Sequence, residues 1–232
     1  MKTSNVNFHI GWLLIIGAVA VLIPYTILTI IFEYPDVLRQ DVGTVLTKFH
    51  SGGSTLIATW FAFAIAGIPL IPAYIMIGQK LEKKAVWIKT ATTLGVISLI
   101  VQMIGLLRWT FVVPVLANSY VNATDEVAKN AVVIVFKTIH QFGGVLLGEH
   151  LGQLFTIVWT VLLCRSFAQL KFFPTWVIWL GYVSSFIYLL AQAELFNTVI
   201  LGFPFWDLAG FLGSTLWLIW LVVIGVLFLN KK

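Results

Sequence analysis

The chain has 232 residues, of which 60% are hydrophobic and 10% charged, and its mean hydropathy is +1.00. A water-soluble domain carries about a quarter of its residues as charges, so this composition excludes that class and indicates an integral membrane protein. The formal net charge is +5, and the single cysteine, Cys164, excludes an internal disulfide or a cysteine-based metal cluster.

About 20 apolar residues cross the hydrocarbon core, and six runs qualify, at approximately 10–32, 55–77, 90–116, 145–164, 174–195 and 208–229. The apolar part of the first is too long for a cleaved signal peptide and no small-residue cleavage site follows, so it is expected to persist as a helix. The connection after it, EYPDVLRQDVGTVLTKFH, places Leu38, Val42, Val45 and Phe49 at helical spacing, with Pro35 suited to a first turn. The connection after the third run has Thr124 as an expected cap, Asp125 and Glu126 suited to the positive helix end, and Val127, Ala131, Ile134 and Val135 as an apolar stripe. The expected fold is all-α: one six-helix membrane domain over residues 1–232, with two amphipathic helices lying as lids on the outer face.

Basic residues orient such a chain. With a cytoplasmic amino terminus, the inner side collects Lys2, Lys80, Lys83, Lys84, Lys89, Arg165, Lys171, Lys231 and Lys232 against Glu82. The outer side collects Glu33, Asp36, Asp41, Asp125, Glu126, Glu194 and Asp207, with Arg39, Lys48, Lys129 and Lys137. Topology therefore explains the isoelectric point of about 9.4, and nucleic acid is not an expected partner. Trp12, Trp87, Trp176 and Trp179 fall near the inner boundary, and Trp109 and Trp206 near the outer one.

The two lids close alike, with KFHSGG and KTIHQFGG, so that His50 and His140 stand 90 residues apart, as do Gln102 and Gln192. This spacing suggests an internal repeat of two parallel hairpins; chance similarity between apolar hairpins is the competing explanation.

Charged groups inside the apolar runs carry the functional argument. Glu149 falls roughly 22 Å above the inner boundary, Arg108 about 27 Å and Glu194 about 30 Å, all in the outer half. A carboxylate and a guanidinium at similar depth have strong reason to pair, which makes an Arg108–Glu149 ion pair the first expectation. Gly144, Gly148 and Gly152 form a smooth ridge for close helix approach. Glu149, Gln153, Thr156 and Thr160 form a polar stripe that lines either a cavity or a hydrogen-bonded helix contact. Trp217 and Trp220, deep in the sixth run, face packing partners, a neighbouring subunit or lipid.

The segments RWTFVVPVLA, GEHLGQLFTIVWT and FPTWVIWLGYVSSFIYL, in that order and at these spacings, resemble the bacterial multi-pass membrane family catalogued as domain of unknown function 4386. The resemblance rests on Arg108, Trp109, Pro114, Gly148, Glu149, His150 and Gly152. It implies a compact helical membrane protein and carries no biochemical role.

The expected function is that of a receptor or scaffold in the bacterial cytoplasmic membrane, with both termini cytoplasmic. Its outward-facing polar pocket would bind a small amphiphile, a lipid headgroup or a quinone. Arg108, Glu149, His150, Gln153, His50, His140 and Glu194 are the candidate ligand-binding residues, and membrane lipids are the expected partners. No cofactor is expected in this reading. A redox alternative has His50 and His140 ligating one haem b from opposite sides. A membrane-embedded hydrolase alternative uses Glu149 as base and His150 as acid or metal ligand, with His140 and Asp207 completing the site, although no HExxH pattern occurs. Oligomeric state and metal content stay open.

Overall fold

A computed structural model describes residues 3–231, with side chains from residue 5, and all regular structure among them is helical. Lys2 and Lys232 of the charge pattern lie outside the described residues. In chain order the elements are α1 (Thr3–Phe32), a 3-10 turn (Asp36–Arg39), α2 (Val42–Ile65), α3 (Leu70–Leu81), α4 (Ile88–Phe111) and α5 (Val113–Val121). Then follow α6 (Glu126–Ile139), a π-helical segment (His140–Leu151), α7 (Gly152–Gln169), α8 (Thr175–Leu190), α9 (Gln192–Asn197) and α10 (Ala209–Asn230).

Six stretches are long and apolar enough to cross a membrane: Asn5–Phe32, Val42–Leu81, Ile88–Val121, Glu126–Gln169, Thr175–Asn197 and Ala209–Asn230. The protein is an all-α, multi-pass membrane protein. Two of these stretches have 40 and 44 residues, about twice the length a crossing needs. The surplus is the amphipathic sequence before each crossing, which continues as helix into the apolar run. Gly53, at φ 55° and ψ −150°, leaves the helical conformation and makes a kink between the amphipathic and apolar parts of α2, a conformation that suits glycine because it has no Cβ.

Aspartates start both amphipathic helices. The Asp41 carboxylate accepts the Thr44 amide at 2.9 Å, and the Asp125 carboxylate accepts the Ala128 amide at 2.8 Å. Asp125 therefore caps α6 in place of Thr124, because a carboxylate accepts more strongly than a hydroxyl from the positive end of a helix. Along the apolar stripe of α6, Val127, Ile134 and Val135 are exposed, while Phe136 is buried and Val132 packs beside it. In a bilayer an apolar stripe needs no protein partner, since lipid tails are as apolar as leucine.

The chain forms two compact units. The first comprises residues 1–19, 67–101 and 150–232; α8 packs on α7 and α10 in it. Tyr74 stacks on Trp159 at 3.8 Å, and the Trp159 ring meets Trp220 edge-on at 5.8 Å. Trp220 is fully buried and donates to the Val177 carbonyl at 3.0 Å, so packing accounts for it. Cys164 is a free, buried thiol in the same core.

The second unit comprises residues 20–66 and 102–149, with α2 packed on α5 and α6. Its centre is aromatic. Trp60 and Trp109 stack at 4.7 Å with 12° between their planes, Phe49 stacks on Trp109 at 5.6 Å, and Phe32 meets both indoles edge-on. Trp109 is 1% exposed within this cluster, packed by protein on all sides.

Candidate functional site

The segment His140–Leu151 is where sequence and geometry part most clearly. Its sequence, HQFGGVLLGEHL, spans the close of the second lid and the start of the fourth apolar run, and it forms one π-helix, whose hydrogen bonds run to the fifth residue. Gly143, Gly144 and Gly148 weaken the preference for α geometry here. Gly144 here and Gly105 on α4 also make contacts that a side chain would prevent. A Cβ on Gly144 would lie 2.6 Å from Arg108 Cζ, and a Cβ on Gly105 of α4 would lie 2.7 Å from the Gly148 Cα. The glycine ridge thus allows close backbone approach and also makes room for a guanidinium.

Arg108 fills that room. It is 8% exposed and is the only charged side chain among the buried described residues. Nη1 donates to the Gly105 carbonyl of its own helix, and Nη2 lies 3.4 Å from His140 Nδ1. A guanidinium can only donate, so Nδ1 is the acceptor and neutral His140 carries its proton on Nε2. The His140 ring stacks on Phe136 at 5.5 Å, and Arg108 Cζ lies 5.3 Å from the Trp109 ring centre, a cation–π distance. The Glu149 carboxylate and the Tyr34 phenol are within electrostatic reach of the guanidinium. Arg108 Nε is buried without a hydrogen-bond partner, and so are Trp60 Nε1 and Thr110 Oγ1 in the same unit.

His150, next in sequence to Glu149, belongs to a different cluster, in the first unit. Gln192 is 6% exposed; its amide nitrogen donates to Gln153 Oε1 at 2.6 Å, and its Oε1 lies 2.7 Å from His150 Nδ1. With the amide oriented by Gln153, the carbonyl side must accept, which places a proton on His150 Nδ1. The polar stripe on α7 is used in contacts between helices: Gln153 bonds Gln192 of α9, and Thr160 accepts from Trp217 Nε1 at 3.0 Å. Glu194, two residues beyond Gln192 on α9, is half-buried.

The candidate residues therefore divide. Arg108, His140 and Glu149 come together in one unit, and His150 and Gln153 in the other. His50 is exposed on α2. Sequence reasoning missed Gln192 as a site residue, although its 90-residue spacing from Gln102 had marked it. It also missed Gly144 and Gly105 as the positions that admit Arg108 and the close helix approach. Among the described residues, no three His, Cys, Asp or Glu side chains come together in a group that could hold a metal ion.

No curated protein and no solved structure matches the chain. A family model does match, over residues 9–225, and those residues include every element of the Arg108 cluster. The chain belongs to the family described as domain of unknown function DUF4386.

Proposed function

We propose that this is a protein of the bacterial cytoplasmic membrane, with cytoplasmic termini, that binds a small amphiphile through an outward-facing polar site at Arg108. The observation that carries the reading is a buried guanidinium whose Nε has no partner. Holding arginine at membrane depth costs on the order of 2.5–3.5 kcal/mol, and an unsatisfied N–H adds to that. A ligand oxygen would offset both, whether the carbonyl of a quinone or the phosphate of a lipid headgroup. His140 steadies one edge of the guanidinium, the stacked indoles supply an apolar wall, and Glu149 balances the charge, so the ligand itself need not be anionic.

The orientation rests on the distribution of lysine and arginine between the two sets of loops. The haem alternative gains nothing from His50, which is exposed. The hydrolase alternative gains nothing from His150 beyond its bond to Gln192.

The test is to extract wild type and Arg108→Gln purified in the same detergent, and to quantify bound quinones and lipids by mass spectrometry. Loss of a charge-assisted hydrogen bond should lower the content of one species by about tenfold or more. Identical contents would refute the proposal, and a Soret band in the wild type would transfer support to haem.

A further inference from the structure

An open groove of about 420 Å³ lies between α3 and α4, and its lining changes along its length. Gln79, Glu82 and Lys89 stand at the end nearest the α3–α4 turn, and Ile75, Val96 and Ile97 line the other end. Eight residues of α-helix separate Lys89 from Ile97, roughly 12 Å. The stretch between them is effectively apolar. Thr92 and Thr93 donate their hydroxyls back to the carbonyls of Ile88 and Lys89, at 2.9 and 3.1 Å, so the groove is offered little more than methyl groups. Gly78 lets the two helices converge, since a Cβ there would lie 3.0 Å from Thr92 Cγ2.

The charged end is poorly neutralised. Glu82 and Lys89 approach only to 4.0 Å, and the Lys89 side chain is 77% exposed, so its ammonium is open to a second anion. Lys80, Lys83 and Lys84 adjoin it in sequence with no carboxylate besides Glu82. Lys231 of the same unit holds its proton less firmly than an ordinary lysine, first because of partial burial and then because of the charges of Lys80 and Lys84. Lys231 therefore lies within the positive potential of Lys80 and Lys84.

We infer that the groove holds one anionic phospholipid of the phosphatidylglycerol type, with its phosphate diester at Lys89 and one acyl chain along Ile75, Val96 and Ile97. The surplus of lysine selects an anionic headgroup over a zwitterionic one, because basic residues at a membrane surface each add to the attraction for acidic lipid. The apolar end selects a lipid over free phosphate, which would leave that end empty. With cytoplasmic termini, the lipid belongs to the inner leaflet. This site is independent of the Arg108 cluster.

Delipidated protein in detergent is titrated separately with dioleoyl phosphatidylglycerol, dioleoyl phosphatidylcholine and glycerol phosphate, and bound molecules are counted by native mass spectrometry. One phosphatidylglycerol should be retained in preference to phosphatidylcholine, with glycerol phosphate not retained. Thr93→Phe fills the groove from an exposed position, and Lys89→Gln removes the charge from an exposed side chain; each should weaken retention by about fivefold or more. Lys137→Gln, elsewhere in the chain, should leave it unchanged. Equal retention by wild type and Thr93→Phe, no preference over phosphatidylcholine, or glycerol phosphate bound as well as lipid would each overturn the inference.

Discussion

Arg108 is held by what its neighbours lack. Gly144 has no side chain to occupy the space of the guanidinium, and the local hydrogen bonds come from a backbone carbonyl and a histidine. That arrangement explains how so hydrophilic a residue fits an aromatic core. Its presence in the sequence was plain, but the identity of its partners depended on the π segment. At the surface the charges behave more simply. Glu33 takes a left-handed φ of 56°, and Lys48 donates to its carboxylate at 2.7 Å. That bond, with the nearby ammonium charge, holds the Glu33 carboxyl below its ordinary pKa. A lowered folded-state pKa contributes stability that is present above the unfolded value and lost as pH falls through the folded one. Thermal unfolding in detergent from neutral pH down through the carboxylate range should therefore show a steeper acid loss in wild type than in Glu33→Gln. The difference should be small and should shrink in high salt, as befits an exposed pair. Equal acid profiles would mean that the pair contributes nothing to folding.

Among the elements, the π segment departs furthest from what periodicity indicates. An apolar run with glycines and one acidic residue reads as α-helix, because its pattern holds no marker for the wider turn. Counting 1.5 Å per residue back from Cys164 holds through α7, and only the last three residues to Glu149 fall in the π segment. The glycine contacts allow a graded test of the α4 approach. Gly105→Ala would drive its Cβ to 2.7 Å from the Gly148 Cα, a backbone atom that no rotamer change can move aside, whereas Gly148→Ala would meet Gly105 Cα at 3.3 Å. Gly105→Ala should destabilise by about 1–3 kcal/mol and Gly148→Ala by clearly less, measured by unfolding in the same detergent. The reverse order would show that α4 and the π segment do not approach as described.

At the scale of the whole molecule, topology is the first property to test. Lys83→Cys and Asp207→Cys each place a thiol at an exposed position, and the native Cys164 is buried, so each variant presents one reactive site. A membrane-impermeant maleimide applied to intact cells should label the Asp207→Cys thiol and leave the Lys83→Cys thiol unlabelled until the membrane is opened. The opposite pattern would reverse the orientation. The six crossings could be read from sequence because hydropathy is a local property: every segment that enters hydrocarbon must satisfy its own backbone, whatever it packs against. The glycine ridge was legible for the same reason. Two features needed the tertiary structure. The outward turn of the α6 stripe and the burial of Trp109 depend on which neighbours lie beside each helix, and in a bilayer hydrophobicity cannot tell a protein neighbour from a lipid one. Sequence alone thus determined that this chain is a helical membrane protein with charged residues inside its apolar runs. Only the fold decided where that charge found its partners, because those contacts join residues far apart in sequence through glycines whose significance is the space they leave.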